Sequence, residues 1–274
     1  MKRFPGGWAV LLAVALHGDA GAAQSAALQL GPALTAIDSG SWRTVYRGID
    51  HRKIVFERSE PNYNIELKLL RFDSHEISAQ VLDAGKYQLK GASAKTFVEK
   101  SGAVATINAN YFDENGRPLA YLKNSTREIN RAVSKHALYT GVFGIRDGSP
   151  FVMHRDQFQP EKTREALQSG PLLLLGGAPV DIPPGLGRYA RRAVVGIDKS
   201  GRVIIAATDA LMGGLSFAEL QELFSRPRWQ IETSDLLNLD GGSSAQLYLR
   251  AGKFEESVPG LSDVPVVIGF FAAR

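Results

Sequence analysis

The chain has 274 residues, enough to bury a core without covalent staples, and it contains no cysteine, which excludes disulfides, thiolate metal sites and a cysteine nucleophile together. Lys and Arg exceed Asp and Glu by four. No basic block is interleaved with aromatics, so a nucleic-acid platform is not expected.

The first 22 residues read as a secretory signal: Lys2 and Arg3, an apolar segment over 8–16, then small residues ending in an A-x-A site. Cleavage after Ala22 or Ala23 would deliver the protein to a periplasm or the medium; an uncleaved anchor is the other possibility. No stable membrane insertion is expected after cleavage. Residues 23–41, rich in Ala, Gly, Ser and Pro, are expected as a flexible leader, and residues 42–274 as one domain.

From Trp42 the pattern becomes strand-like. Residues 42–49, 53–58, 65–72 and 77–82 alternate or run apolar, with turn-formers between them. Residues 92–100 have helical spacing, with Ser93 as N-cap and Gly102 as stop. A buried-type strand over 103–108 then delivers Asn108, Asn110 and Phe112. Amides beside an aromatic ring are suited to holding a sugar, although an ordinary strand end with Phe112 in the core fits these residues equally.

Further on, 139–145 reads as a strand and 154–166 as a solvated helix or loop. Ser169 and Gly170 precede the apolar run 172–175. Residues 191–198 and 203–208 form a hairpin ending at Asp209, and Arg192 at its mouth is suited to clamping an anion; pairing with Asp198 or an edge carboxylate is the structural alternative. Ser216 and Glu219 form a capping box for a helix over 217–225. The apolar run 236–239 stops at Asp240, passes through Gly241, Gly242, Ser243 and Ser244, and resumes as a strand. Two glycines let a ligand approach bare N–H groups, so Asp240, Ser243 and Ser244 are placed to converge on one molecule; a plain hairpin turn is the alternative. A strand over 264–271 completes a single α+β domain around mixed, largely antiparallel sheet with a few flanking helices.

Taken together, these stretches resemble the phosphodiester glycosidase family. Residues 108–113 look like its N-G-G-F-F motif, 169–172 its S-G-P-L, 192–196 its R-x-A-[IV]-G, 215–224 its G-L-S-L-x-E-L helix, and 237–244 its L-N-L-D-G-G-G-S signature. Asp209 lies where the family carries an Asp-Gly pair. The likeness spans about residues 65–272. Ala109, Asn110, Ala210 and Ser243 stand where the family has glycines, and Ala120 follows Leu119 where Leu-Gly is usual. These extra side chains are expected to narrow the pocket.

The resemblance implies hydrolysis of a sugar-1-phosphodiester; the expected export signal, and not the resemblance, points to a cell-envelope or extracellular glycan as the substrate. Asp240 is then the nucleophile or base, Asp209 its partner or a sugar ligand, and Arg192 the holder of the phosphate, supported by the N–H groups of Gly241 and Gly242. Asn108, Asn110, Phe112, Ser169, Gly170, Ser243 and Ser244 are assigned to substrate binding. No cofactor is expected. The histidines at 17, 51, 75, 136 and 154 lack ligand spacing, and although Asp240 with neighbouring oxygens is able to bind Ca²⁺, nothing in the sequence singles that out. The expected partner is a carbohydrate or glycan phosphate; oligomeric state is open. Two rivals remain: a non-catalytic periplasmic polysaccharide-binding protein on the same fold, and a phosphodiesterase cutting P–O.

Overall fold

The computed structural model describes residues 28–30 and 33–273; the expected signal at 1–22 lies outside them. Among the described residues, strand pairing is antiparallel throughout and divides into three sheets. Two α-helices, Ala94–Ser101 and Phe217–Ser225, flank them. The α+β expectation holds, with three antiparallel sheets in place of one mixed sheet.

The largest sheet has ten strands, and its middle runs Ile49–Ser59, Asn62–Phe72, Val203–Asp209, Ala193–Asp198, Thr233–Asn238, Leu172–Leu175. The second is centred on Gly141–Arg146 and Glu165–Ser169, and the third on Ala105–Asn108 and Val266–Ala272. One face of the largest sheet, with Val195, Ile205 and Leu237, packs against Phe143 and Leu167 of the second and Ile107 and Ile268 of the third. Its other face, with Val194, Ile204 and Leu236, packs against Leu220 and Phe224 of the second helix and against Trp229. Burial on both faces explains why 193–197 and 203–207 read as continuous apolar runs.

Three expectations are corrected here. Residues 28–29 and 34–38, placed in a flexible leader, pair into the largest sheet, because Leu30, Leu34 and Ala36 bury against Ile54 and Phe56. Residues 42–49 form no single strand: the chain turns at Gly48, φ +74°, between Arg43–Tyr46 and Ile49–Ser59. The stretch 154–166 holds two short 3₁₀ turns and then the start of the strand Glu165–Ser169. Both helix starts follow their sequence signals. Ser93 accepts from Thr96 N at 3.1 Å, and Ser216 and Glu219 cap reciprocally.

Candidate active site

The strand Thr233–Asn238 ends where the largest sheet meets the third. Asp240 N donates to Ala109 O at 2.9 Å, and Asn108 Nδ2 donates to Asp240 O at 2.7 Å. Asn108 Oδ1 accepts from Gln246 N at 3.0 Å, so both ends of this buried amide hold the backbone of the D-G-G-S-S turn. Burial raises the Asp240 carboxyl to about 6, against the pull of the Ser244 hydroxyl and the Gly241 N–H, which donates to Oδ1 at 2.9 Å. Gly241 is required by close approach: a Cβ there would lie 2.8 Å from Arg191 O. Gly242, φ +60°, donates its N–H to Arg191 O at 2.9 Å. The two N–H groups expected to receive an anion are therefore taken within the chain. The Ser243 carbonyl accepts from Leu261 N and Ser262 N, and its side chain is exposed.

Beneath Asp240 lies a polar floor, of which the sequence reading assigned Asn110, Ser169 and Gly170 but not Tyr111, Asn238 and Tyr139. Tyr111 Oη donates to Gly170 O at 3.0 Å, and Asn238 Nδ2 lies 3.0 Å from Tyr111 Oη and 2.8 Å from Gly170 O. Burial and then the Asp240 charge push the Tyr111 phenol well above its ordinary range; the same two causes raise Tyr139, whose ring lies 5.3 Å from that of Tyr111. Ser169 Oγ, Asn110 Oδ1 and Asn238 Oδ1 are buried without a hydrogen-bond partner among the described residues. Asn238 sits two residues before Asp240 and Tyr111 inside the motif that carries Asn108, so their position was the one signal that could have found them, and the sequence reading did not use it. Tyr139 carried no sequence signal.

Arg192 borders this floor. Its Nε donates to Leu215 O at 2.8 Å, its Nη2 to Arg188 O, and its guanidinium lies 4.1 Å from the Phe217 ring centroid. Nη1 donates to no described residue and points toward the turn, 3.9 Å from where a Gly241 Cβ would stand. Burial lowers the guanidinium pKa, opposed by Tyr111 and Glu219.

Asp209 is placed differently. It lies 3.2 Å from Lys68 Nζ, and Lys68 also lies 3.0 Å from Glu256. Ala193–Asp198 runs between the strands carrying Asp209 and Asp240, so their backbones are roughly 10 Å apart on sheet spacing. Alternation sets Asp209 and Arg191 on the face of Ala193 and Ala207, and Arg192 on the face of Val194. Phe112 packs with Leu89, Phe97 and Val264 in a separate cluster. Ala109 and Ala210, expected to narrow the pocket, bury their methyl groups in the two large cores instead. Among the described residues no group of three His, Asp or Glu is placed to hold a metal ion.

A partly buried carboxyl raised to about 6, faced by two phenols and bordered by a guanidinium at a sheet's end, is the equipment of acid–base hydrolases. The chain belongs to the phosphodiester glycosidase family, whose model matches residues 101–271. No curated protein sequence matches it. Among solved structures, it is similar to the catalytic domain of zebrafish N-acetylglucosamine-1-phosphodiester alpha-N-acetylglucosaminidase, described as auto-inhibited by its pro-peptide, at 14% identity and TM-score 0.65, covering 88% of each chain. It is also similar to a hypothetical protein from Synechocystis, at 16% identity and TM-score 0.65 over 85% of this chain and 64% of that one. A putative exported protein from Burkholderia pseudomallei matches at 11% identity and TM-score 0.54, over 76% of this chain and 74% of that one. At these identities the likeness is one of fold.

Proposed function

We propose that the chain is an exported hydrolase that cleaves the glycosidic C–O bond of a sugar-1-phosphodiester in a cell-envelope or extracellular glycan, releasing a free sugar and a phosphomonoester. Family membership supports a glycosidase acting on phosphodiesters. The zebrafish enzyme's name specifies that kind of bond. The observation that carries the residue assignment is Asp240: a carboxyl desolvated to about 6, yet still mostly ionised at neutral pH.

Asp240 directs attack at the anomeric carbon, as nucleophile or by activating water. The leaving phosphomonoester is a weak base, so holding its charge matters more than protonating it. Arg192 supplies that through Nη1, while its other nitrogens are anchored to Leu215 and Arg188 carbonyls and so arrive pre-oriented. Tyr111 and Asn238 form the floor against which the sugar lies. Ser169, Asn110 and Ser244 offer it hydrogen bonds. Asp209, roughly 10 Å away on sheet spacing and engaged by Lys68, acts at the rim rather than as a close second carboxylate.

The test is hydrolysis of a panel of sugar-1-phosphodiesters in ¹⁸O water, with and without chelator, by wild type and Asp240→Asn. Label in the released sugar and a loss of at least about a hundredfold in the variant are expected. Label in the phosphate, or full turnover by the variant, overturns the reading.

A further inference from the structure

Two loops hang on the guanidinium of Arg192. One contains Arg188, whose carbonyl accepts from Nη2, and the other Leu215, whose carbonyl accepts from Nε. They are bridged to each other through Ala190 and Leu215, which exchange backbone hydrogen bonds of 3.4 and 3.0 Å. Arg58, fully buried, ties them a second time: it donates to Gly214 O at 3.1 Å while the Tyr189 ring lies over it at 3.9 Å. The pair is therefore a braced lip rather than two loose turns.

This braced lip presents apolar side chains to solvent. Leu211 is 103% exposed, Met212 64%, Tyr189 56% and Leu186 40%. Single exposed apolar residues are ordinary, but four carried on two mutually clamped loops are a concentration of the kind that marks a binding surface. Beside the lip, a cleft of about 320 Å³ opens between the loop 179–187 and the start of the second helix, its wall shared between apolar residues such as Val180, Ile182 and Phe217 and the polar Asp181, Ser216 and Gln221. Phe217 is the link. Its ring carries the Arg192 guanidinium at 4.1 Å, and Gly187 packs so closely against it that a Cβ would come within 2.9 Å.

Contacts thus lead from the Asp240 turn to Arg192 and on to Phe217, which lines the cleft beside the apolar lip. A phosphate held by Arg192 with its sugar toward Asp240 directs its other ester substituent onto that lip. We propose that the lip and cleft bind a hydrocarbon chain carried on the substrate's phosphate, so that the substrates are lipid-linked sugar phosphodiesters. This rests on the glycosidase reading above. The reaction itself is unchanged: the anomeric C–O bond breaks, water supplies OH to the sugar and a proton, and the chain leaves as an alkyl phosphate.

The experiment compares a methyl and a dodecyl phosphodiester of the same sugar, using wild type and the triple variant Leu186→Ser, Leu211→Ser, Met212→Ser, whose exposed side chains leave the core intact. Wild type is expected to prefer the dodecyl compound by at least about tenfold in kcat/KM, chiefly through KM, and the variant to bring that ratio close to one. Equal wild-type rates on the two compounds, or an undiminished preference in the variant, overturn the proposal. Binding of dodecyl phosphate is measured alongside. If neither phosphodiester is cleaved, saturable dodecyl phosphate binding that the triple variant loses keeps the lip and removes the glycosidase reading. No wild-type binding removes the lip. Attachment to neutral phospholipid vesicles without preference among the phosphodiesters assigns the surface to a bilayer and overturns the substrate proposal.

Discussion

Asp240 is held in a state that costs stability. Its folded pKa of about 6 lies above the ordinary value of 3.8, so between those values the folded chain binds more protons than the unfolded one, and stability falls as pH rises through that window. Asp240→Asn removes the penalty while keeping an acceptor for the Gly241 N–H. The variant is expected to exceed wild type by on the order of 1–3 kcal/mol at pH 7.5, with the gap closing below pH 4, as read by urea unfolding. Because the ionised form does the chemistry, kcat/KM of wild type is expected to fall on the acid side with a midpoint near 6. Sequence marked Asp240 by its place between a strand and two glycines. It did not mark Tyr111 and Asn238 as site residues, because their roles depend on Gly170 O, brought in from the bend between Glu165–Ser169 and Leu172–Leu175.

Among the elements, the hairpin Leu247–Ala251 and Phe254–Val258 is fastened to the largest sheet by charge as well as by packing. Burial works against the Glu256 charge, but hydrogen bonds from His51 and Lys68 outweigh it and hold the carboxyl at about 2. A depressed carboxyl contributes stability that is complete above the unfolded value near 4.5 and is lost as pH falls from there toward 2. Glu256→Gln strands a buried lysine, which then has Asp209 as its nearest strong partner. The expected cost is about 2–3 kcal/mol at neutral pH, shrinking in acid, measured by chemical denaturation. Local signals read these elements well: Ser93, Ser216 and Gly102 each end a helix where the sequence says. Burial of Leu30, Leu34 and Ala36 was not legible, since these residues gain their meaning only from Ile54 and Phe56 across the sheet.

At the scale of the molecule, strand order is what the sequence withheld. Thr233–Asn238 lies between Ala193–Asp198 and Leu172–Leu175, and no local pattern specifies such neighbours. That order separates the strands of Asp209 and Asp240, which motif order alone made a pair. The third sheet places Val266–Ala272 in its interior, paired on one side with Ala105–Asn108 and on the other with Ile77–Asp83. Removing 266–274 is therefore expected to abolish cooperative unfolding and the near-ultraviolet circular dichroism signal, whereas a trimmed edge strand would be tolerated.

The position of Val266–Ala272 also sets a timetable. Ile107 finds its partner Ile268, and Val81 its own, only after nearly all the intervening chain has been made. Pairings so remote in sequence close slowly, and the apolar strands of the early half must wait with their faces uncovered. Until then the early strands are expected to keep their apolar faces open to other chains, and the third sheet to close only once the last strand arrives.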